Sequence, residues 1–561
     1  MHHIFEFDDI IYAVLQHVKS SGTDLVNVAM TCSRLADSAL NILWSEQSSL
    51  VPLIMCLPQD TWEVRENGLG HIVHFSRDPT PIEWERLRVN ASRVRRLVGP
   101  NGFTDALKLP LGESFIPGLD VSRDVLQRLF VWSRPATLFP NLCELYFDAV
   151  FYFLEYDSSK SWLLRQFISP GLQALRFDVA GIPPHKSEQL LATLHAEVHG
   201  LRQLTVSADD GNMALTVPPS FGKLPKLIGL AIFGIDVCLT RQTIANIQQA
   251  RCLQSLKLKL FGTSCDAGGI PLELPSLKTL HLSGGSLPQC THFLRQVTTP
   301  QLSHIDIRYC GAASPAEMTA FIESLSTSCQ TVGCLERVHV VDESKIPDPR
   351  VIIPLSSEIF RPLFKFNRLL SVKFIGVGNF NLDDGFLYDV PVAWPSIREL
   401  KLTSWKRRAI YSVTFTAMMS LASRCRSLQT LHLTVDATQS TIIPRAPDGT
   451  EELWPTQTAL RNLHLGYSKV SEVARVPYFL AEVFPTLFDF KWYDYYYGNY
   501  HNPDIAIVSA LSALNDALQQ LWALRKSTGA DDLNGRRIQT TVGREEWRFH
   551  RNVIDCYKYL H

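Results

Sequence analysis

Residues 275–282 read PSLKTLHL, and the spacing of the three leucines in this stretch decides how most of the chain folds. Leu280 and Leu282 are two residues apart, so both side chains lie on the same face of an extended strand. Pro275 cannot continue a helix, and any helix arriving from the preceding segment therefore ends before the strand begins. The stretch predicts a short strand with one apolar face, preceded by a separate return segment.

The phrase L-x-x-L-x-L, with apolar residues at its first, fourth and sixth positions, recurs thirteen times from residue 142 onward. The mean spacing is about 29 residues, which indicates one strand and one return segment in each unit. The copies are LCELYF (142), LQALRF (172), LRQLTV (201), LIGLAI (227), LQSLKL (253), LKTLHL (277), LSHIDI (302), LERVHV (335), LLSVKF (369), IRELKL (397), LQTLHL (428), LRNLHL (460) and LFDFKW (487).

This repetition resembles the leucine-rich repeat. The resemblance implies an α/β solenoid, a horseshoe in which short parallel strands alternate with helical or irregular returns. Segments 187–198, 315–326 and 415–425 have the three- and four-residue apolar steps of such helical returns. Regular repeats place Asn or Cys three residues after the sixth position, where the side chain satisfies backbone groups, but only Cys310 fits that rule. We therefore expect uneven curvature and long loops.

Composition limits the possible functions. The 561 residues are 46% hydrophobic, and 54 Lys plus Arg balance 55 Asp plus Glu, so the chain is not disordered. A formal net charge of −1 gives no overall attraction to nucleic acid or membranes. Twelve scattered cysteines without a Cys-x-x-Cys pair, no long apolar run and an acidic start predict a cytoplasmic or nuclear protein.

The residue between the fourth and sixth positions of each phrase is predicted to face outward on the concave side of the solenoid. Nine of these thirteen residues are basic, whereas 54 Lys plus Arg and 17 His in 561 residues predict about two. Asp306 is acidic, and Glu is absent. The basic residues are Arg176, Lys257, His281, His339, Lys373, Lys401, His432, His464 and Lys491.

This basic row predicts a surface for an acidic or phosphorylated segment of an unknown target protein. The four histidines would strengthen that binding as pH falls, near neutrality if their pKa values are unperturbed. The alternative is that long solvated side chains simply suit an exposed strand face.

The first 45 residues predict three short helices. Asp9 suits the first turn of a helix over 8–18, and residues 24–44, DLVNVAMTCSRLADSALNILW, carry further apolar stripes. So few residues usually cannot cover their own apolar surface, and some of it should remain for a partner.

Residues 4–48 resemble an F-box, particularly the F-box-like proteins of filamentous fungi, which continue into irregular leucine-rich repeats. The matching features are an acid before the first helix, the phrase VAMTCSRLA and the ending Leu43-Trp44; Phe7 stands where the family often has Pro. The resemblance implies docking to a Skp1-type adaptor and cullin complex, and hence a non-enzymatic substrate-recognition adaptor of an SCF-type ubiquitin ligase. The implied adaptor-binding residues are Ile10, Ile11, Val14, Leu15, Val18, Leu25, Val28, Cys32, Leu35, Leu43 and Trp44.

Two alternatives stay open. The first helices could simply cap the solenoid, in which case the chain is a leucine-rich-repeat interaction scaffold without ligase coupling. An enzyme hidden in the long loops is the third possibility. The expected segments are an all-α F-box-like module at 1–48, a linker and cap region at 49–139, the repeats at 140–499 and a helical C-terminal cap at 500–561, which includes an amphipathic helix at 504–526.

Other constellations give no catalytic, cofactor or metal site. His195 and His199 are one helical turn apart, but the Glu order of a zinc protease and a third ligand are missing. No Walker lysine and no G-x-S-x-G elbow occurs in the sequence. The basic loop WKRR (405–408) could bind phosphate or act as a nuclear signal, or it could simply be solvated. The aromatic run WYDYYYGNY (492–500) could be a recognition patch for a partner, or it could pack onto the C-terminal cap.

Overall fold

The structure is a computed structural model, and the residues it describes divide into two compact units. The first unit contains described residues up to 236 together with 245–252, and the second contains 237–244 and 253–491. The described residues are 7–19, 21–66, 71–98, 119–132, 137–147, 160–179, 182, 184–208, 214–215, 224, 226–233, 236–237, 241–260, 271–311, 313–329, 333–344, 354–403, 413–437, 455–465, 468–470 and 476–491.

The first unit contains eight helices among its described residues and a run of parallel strands in the order β1-β4-β6-β7-β8-β10. A separate sheet has the order β2-β3-β5, and β9 pairs with β11. The helices are α1 (Asp8–Gln16), α2 (Gly22–Thr31), α3 (Ser33–Ser45), α4 (Val51–Met55), α5 (Pro81–Arg93), α6 (Arg123–Trp132), α7 (Lys160–Gln166) and α8 (Pro184–Glu197). The strands are β1 (Glu46–Gln47), β2 (Trp62–Glu66), β3 (His71–Phe75), β4 (Arg96–Leu97), β5 (Leu119–Val121), β6 (Glu144–Tyr146), β7 (Ala174–Asp178), β8 (Gln203–Ser207), β9 (Ala214–Leu215), β10 (Gly229–Phe233) and β11 (Asp236–Val237).

The second unit continues the same pattern with parallel strands in the order β12-β14-β16-β17-β19-β21-β22-β24-β26. Its strands are β12 (Ser255–Lys259), β13 (Leu272–Glu273), β14 (Thr279–Ser283), β15 (Val297–Thr298), β16 (His304–Tyr309), β17 (Arg337–Asp342), β18 (Pro354–Ser356), β19 (Ser371–Ile375), β20 (Asn379–Asn381), β21 (Glu399–Thr403), β22 (Thr430–Leu433), β23 (Asp436–Ala437), β24 (Asn462–His464), β25 (Lys469–Val470) and β26 (Asp489–Lys491). After α9 (Arg241–Gln248), its helices are α10 (Leu287–Gln296), α11 (Pro315–Ser328), α12 (Ser357–Phe360), α13 (Asp384–Ala393), α14 (Phe415–Arg424) and α15 (Val476–Val483). Short strand pairs β13/β15, β18/β20 and β23/β25 lie in the returns.

All thirteen predicted phrases form strands of these two runs. In β14, Leu280 and Leu282 are fully buried, whereas Thr279, His281 and Ser283, which alternate with them, are half-buried. A further strand that precedes these phrases, β4, belongs to the same run and pairs with β6. Strand β1 was not predicted, because Glu46 and Gln47 lack the apolar phrase and are placed only by pairing with β4.

The helical returns begin where the sequence supplies capping groups. Helices α5, α10 and α11 each start at a capping box, in which the residue before the helix and the residue three positions later satisfy each other's backbone N–H. Ser314 and Glu317 form such a box before α11, and Pro315 occupies the first helical position, where no N–H is needed. These caps fix the points at which the chain leaves the sheet.

Backbone groups between repeats are satisfied by side chains at irregular positions, which explains how the fold tolerates the missing Asn or Cys. Gln457 is fully buried, and its Nε2 donates to the carbonyls of Cys425 (3.1 Å) and Leu428 (2.8 Å). Its Oε1 accepts from the N–H groups of Ala459 (2.9 Å) and Leu460 (2.6 Å). One amide therefore joins two successive repeats.

Similar inter-repeat bonds occur elsewhere in the described chain. The hydroxyl of Ser328 donates to the carbonyl of Leu294, and Trp394 Nε1 donates to the carbonyl of Leu363 at 3.3 Å. These three bonds come from a glutamine, a serine and a tryptophan, so no shared residue type marks them in the sequence.

No helix among the described residues has both the length and the apolarity needed to cross a lipid bilayer. The predicted C-terminal cap at 500–561, with its helix at 504–526, lies outside the described residues.

We expect Gln457→Leu to lower the free energy of unfolding by about 2–4 kcal/mol, because it removes the side-chain partners of the Leu428 carbonyl and of the Ala459 and Leu460 N–H groups. The Cys425 carbonyl keeps its bond from the Leu428 N–H. The measurement is the urea midpoint of the full chain. Gln429→Leu is the matched control, since Gln429 lies in the same region with an exposed side chain. Equal midpoints for the two variants would show that the Gln457 amide does not hold the repeats together.

Candidate functional site

The open face of the sheet is the face whose side chains alternate with the buried aliphatic residues of the strands. Its middle row in the second unit is Lys257, His281, Asp306, His339, Lys373, Lys401, His432, His464 and Lys491. The strand register places each of these residues opposite the next, for example Lys257 opposite His281 and Lys373 opposite Lys401. These positions therefore lie side by side, as predicted, but His464 is buried and does not face outward, and the side chain of Lys491 lies outside the described residues. The role of the row in binding stays a prediction.

The first unit has its own middle row, in which Tyr146, Arg176, Thr205 and Ala231 are successive partners. Tyr146 is buried, and burial raises the pKa of its hydroxyl. Arg176 is the one basic residue of this row, so the predicted basic character belongs to the second unit.

Asp306 is the centre of a charge cluster on the open face. His281 Nδ1 lies 3.1 Å from Asp306 Oδ2, and Arg308 Nε lies 3.5 Å from Oδ1. Arg308 also contacts Glu343, with 3.2 Å between NH1 and Oε1. Burial acts to raise the pKa of Asp306, but the hydrogen bond from His281 and the positive charge of Arg308 hold it below its usual value. Asp306 is therefore ionised at neutral pH.

Lys373 belongs to a second cluster, on the next strands. Its Nζ lies 2.6 Å from Glu399 Oε2, and the hydroxyl of Ser371 donates to the same oxygen at 2.9 Å. His339 Nε2 lies 3.0 Å from the Ser371 hydroxyl. Burial acts to raise the pKa of Glu399, but the bonds from Lys373 and Ser371 lower it below its usual value.

The Ser371–His339 pair has the wrong polarity for nucleophilic catalysis. The only hydrogen of the Ser371 hydroxyl points to Glu399, so His339 Nε2 carries a hydrogen and donates to the serine. A nucleophilic serine needs the opposite arrangement, in which histidine accepts the hydroxyl proton. The contact therefore orders the face and does not prepare a reaction.

His339 corrects the expectation that every histidine of the row gains charge near neutral pH. Burial and the neighbouring Lys373 lower the pKa of His339 to about 4. Its imidazole stays neutral at physiological pH. Burial also lowers the pKa of Lys257 below its usual value.

Carboxylates flank the middle row, although Glu is absent from the row itself. Glu399 lies two residues before Lys401, on the same face of β21, and Glu343 lies two residues after Val341. Lys373, His281 and Arg308 are therefore compensated within the chain. The sequence prediction missed these acids because it read one position of each strand.

The same omission hid further open-face residues, including four on β16, β17 and β19. Arg308, Val341 and Ile375 lie two residues after the middle row, and Arg337 lies two residues before it. Arg337 is exposed, and Val341 and Ile375 are half-buried aliphatic residues on a mainly polar face. Extending the alternation of side chains by two residues before and after each middle-row position would have found all four residues.

The predicted adaptor-binding residues fall into two groups. Ile11, Leu15 and Leu25 are buried with Ala39 and Ile42 in a small core between α1, α2 and α3. Trp44 is also buried, whereas Val18, Val28, Leu35 and Leu43 are partly buried against that core and Cys32 is partly exposed. The buried members hold the helices together and are not accessible to a partner.

The exposed group is smaller and includes residues that the sequence interpretation did not name. Ile10 and Val14, one turn apart on α1, are 38% and 53% exposed. Val26 and Met30, one turn apart on α2, are 40% and 82% exposed, and Tyr12 is 46% exposed. We call Ile10, Tyr12, Val14, Val26 and Met30 the N-terminal apolar surface.

Ion pairs join these helices to the first strands. Glu46 of β1 contacts Lys19 at 3.2 Å and Arg96 of β4 at 2.9 Å, and Arg96 also contacts Glu144 of β6 at 2.9 Å. Arg93 of α5 bonds to Asp37 and Asn41 of α3. Helix α3 runs directly into β1, so the helices and the first strands of this unit form one packed body.

The remaining candidates add no site. His199 is exposed after α8, and the side chain of His195 lies outside the described residues, as do 405–408 and 492–500. No group of three or more His, Cys, Asp and Glu side chains that could hold a metal occurs in the part of the chain that the structure describes.

No protein-family model matches the sequence, and no curated protein matches it. Among solved structures, the chain is similar to a leucine-rich-repeat protein of Leptospira interrogans, with 16% identity over 65% of this chain and 80% of that chain and a TM-score of 0.32. An internalin from Listeria monocytogenes is 13% identical over 69% of this chain and 79% of that one, with a TM-score of 0.28. A structure of the Rad7 and Elc1 complex in yeast is 13% identical over 59% of this chain and 78% of that one, with a TM-score of 0.24.

The predicted leucine-rich-repeat α/β solenoid is confirmed. What carries this assignment is the alignment of all thirteen phrases as strands of parallel runs, with their aliphatic residues buried. Likenesses at these identities and TM-scores carry no argument about partners or activity.

We expect the imidazole of His339 to stay neutral until the pH approaches about 4, against about 6.5 for an unperturbed histidine. The unfolded chain takes up this proton between these two values and the folded chain does not, so acidification through that range destabilises the fold. Lys373→Met should raise the pKa of His339, because it removes the neighbouring positive charge. NMR titration of ¹³C-labelled histidines, with His339→Gln to assign the signal, measures both; a titration near 6.5 would contradict the expected burial.

Proposed function

We propose that this chain is a protein-binding adaptor with two surfaces. The N-terminal apolar surface would dock a Skp1-type adaptor protein of a cullin-RING ubiquitin ligase, and the open face of the repeats would hold a target protein. The ligase partner comes from the resemblance of residues 4–48 to an F-box. The chain would act by keeping its target close to a conjugating enzyme, which is a proximity effect and needs no catalytic residue of its own.

The observation that carries this proposal is the concentration of exposed apolar side chains at the start of the chain. Six of the fourteen large exposed hydrophobic side chains among the described residues lie between 7 and 30. They are Phe7, Ile10, Tyr12, Val14, Val26 and Met30. Exposed apolar side chains concentrated in one short segment support a protein-interaction site there.

The fold of the helices does not need these residues. Ile11, Leu15, Leu25, Ala39 and Ile42 already form the core between the three helices. Removing apolar area from water is worth about 25 cal/mol per Å², so covering the exposed residues would favour association. The core is complete without the exposed residues, which supports the proposal that they contact a partner protein.

A partner on α1 and α2 would be held at a defined position relative to the first strands of the same unit. Helix α3 continues into β1 without a linker, Glu46 of β1 contacts Lys19 just after α1, and Arg96 joins β4 to β1 and β6. This attachment supports a proximity mechanism, because the adaptor-binding helices are fixed to the first repeats.

The second candidate is a leucine-rich-repeat interaction scaffold without ligase coupling. What favours it is the position of these elements: β1 is the first strand of the run β1-β4-β6 and α3 leads directly into it, which is where a solenoid has its N-terminal cap. The two candidates differ in whether the N-terminal apolar surface binds an adaptor protein.

We expect the double variant Val14→Asp/Met30→Asp to abolish co-purification of a Skp1-type adaptor with the full chain. Both side chains are exposed, so the charges should not disturb the core, but they would be buried without partners in the complex. A loss of at least about 100-fold in affinity is expected for two such charges.

The matched control is Ile82→Asp/Val392→Asp, since these residues are also aliphatic and are 84% and 71% exposed on α5 and α13. Adaptor binding should survive in this control. If the unmodified full chain does not bind the adaptor, the scaffold without ligase coupling is the correct function.

A further inference from the structure

Three adjacent strands of the second unit place an arginine beside two aliphatic residues on the open face. Arg308 of β16 is opposite Val341 of β17, and Val341 is opposite Ile375 of β19. Neighbouring strands are about 4.8 Å apart, so these three side chains form a continuous row beside the middle row. We call Arg308, Val341 and Ile375 the flanking row.

The open face around this row has more positive than negative charge. From β12 to β21, the positions that alternate with buried residues hold six cationic side chains and three carboxylates. The cations are Lys257, Lys259, Arg308, Arg337, Lys373 and Lys401, and the carboxylates are Asp306, Glu343 and Glu399.

Each carboxylate already holds a basic side chain of this chain. Asp306 contacts His281 and Arg308, and Glu343 contacts Arg308. Glu399 contacts Lys373. A basic segment approaching this face would have to displace these cations and would meet the excess positive charge, whereas an acidic segment would neutralise it.

We propose that the open face across β16, β17 and β19 binds an extended acidic segment that carries an aliphatic side chain. A carboxylate of the segment contacts Arg308, and the aliphatic side chain covers Val341 and Ile375. This inference rests on the proposed role of the open face in target binding, but it does not depend on ligase coupling. The target segment must then carry an aliphatic side chain as well as negative charge.

The dimensions of the face set the length of the segment. Six strands from β12 to β21 span about 24 Å at about 4.8 Å each, which about eight extended residues can cross. A segment of that length reaches both the excess cations and the flanking row.

Glu343 competes with the target for Arg308. Its Oε1 lies 3.2 Å from Arg308 NH1, and both side chains are about two-fifths exposed. A carboxylate of the target would replace this contact. Glu343→Gln should therefore tighten binding, by roughly two- to fivefold for an exposed ion pair.

The test uses the full chain and fluorescein-labelled peptides of about eight residues, with anisotropy as the readout. The probes are a Glu-Glu-Leu repeat, a Glu-Glu-Ser repeat and a Lys-Lys-Leu repeat. We expect the Glu-Glu-Leu peptide to bind most tightly, and its affinity to fall as salt rises because exposed charges are screened. Arg308→Ala and Val341→Ser should each weaken it by about tenfold, since each removes one of the two proposed contacts.

The matched controls are Arg88→Ala and Val89→Ser on α5, which should leave binding unchanged. Arg88 is about as exposed as Arg308, and Val89 is more exposed than the half-buried Val341. Equal or tighter binding of the Lys-Lys-Leu peptide, equal binding of the Glu-Glu-Ser peptide, or wild-type affinity in both open-face variants would overturn the inference. Capture of the Skp1-type adaptor is measured on the same samples. A chain that binds the adaptor but not the acidic peptide rejects this inference alone, and a chain that binds the peptide but not the adaptor rejects ligase coupling alone.

Discussion

The register of the parallel strands is the constraint on which the rest of the structure depends. From β12 to β21, each strand places two aliphatic or aromatic side chains on the face opposite the open face, and these side chains form two adjacent buried rows. The first row contains Leu256, Leu280, Ile305, Val338, Val372 and Leu400. A shift of one residue in any strand would turn its row into the open face and bury residues such as Lys257 or His281 instead. Burying a charge without a partner costs far more than a strand pairing gains, so only one register is stable.

The same constraint creates the electrostatics of the open face. Because the buried rows fix the register, basic residues of successive repeats must lie about 4.8 Å apart, where they would repel. The chain relieves this repulsion locally: Asp306 lies between His281 and His339, and Glu399 pairs with Lys373. The low pKa of His339 is a further consequence, since a neutral imidazole next to Lys373 adds no charge to the row. The face is therefore positive on balance, but it is not a strip of uncompensated charge.

The strands and the middle row could be predicted from the sequence because both depend on a local period of two residues. Other features depend on partners that are distant in sequence. Strand β1 has no apolar phrase and exists because Glu46 and Gln47 pair with β4. Gln457 reaches carbonyls about thirty residues earlier, and no repeated position in the sequence marks it. The pairing of Lys373 with Glu399 likewise requires the register of two strands together with their side-chain conformations.

The N-terminal helices show a different limit of sequence patterns. Helix α1 carries two adjacent apolar pairs, Ile10–Ile11 and Val14–Leu15, and a helical stripe includes all four residues. Packing against α3 needs only one member of each pair, and the structure buries Ile11 and Leu15 while Ile10 and Val14 remain exposed. An apolar arc wider than one neighbour can cover leaves a second stripe in water. Since polar residues at those two positions would leave the core intact, the exposed stripe has no role in holding the three helices together, and it is therefore the part of α1 that we assign to the proposed partner.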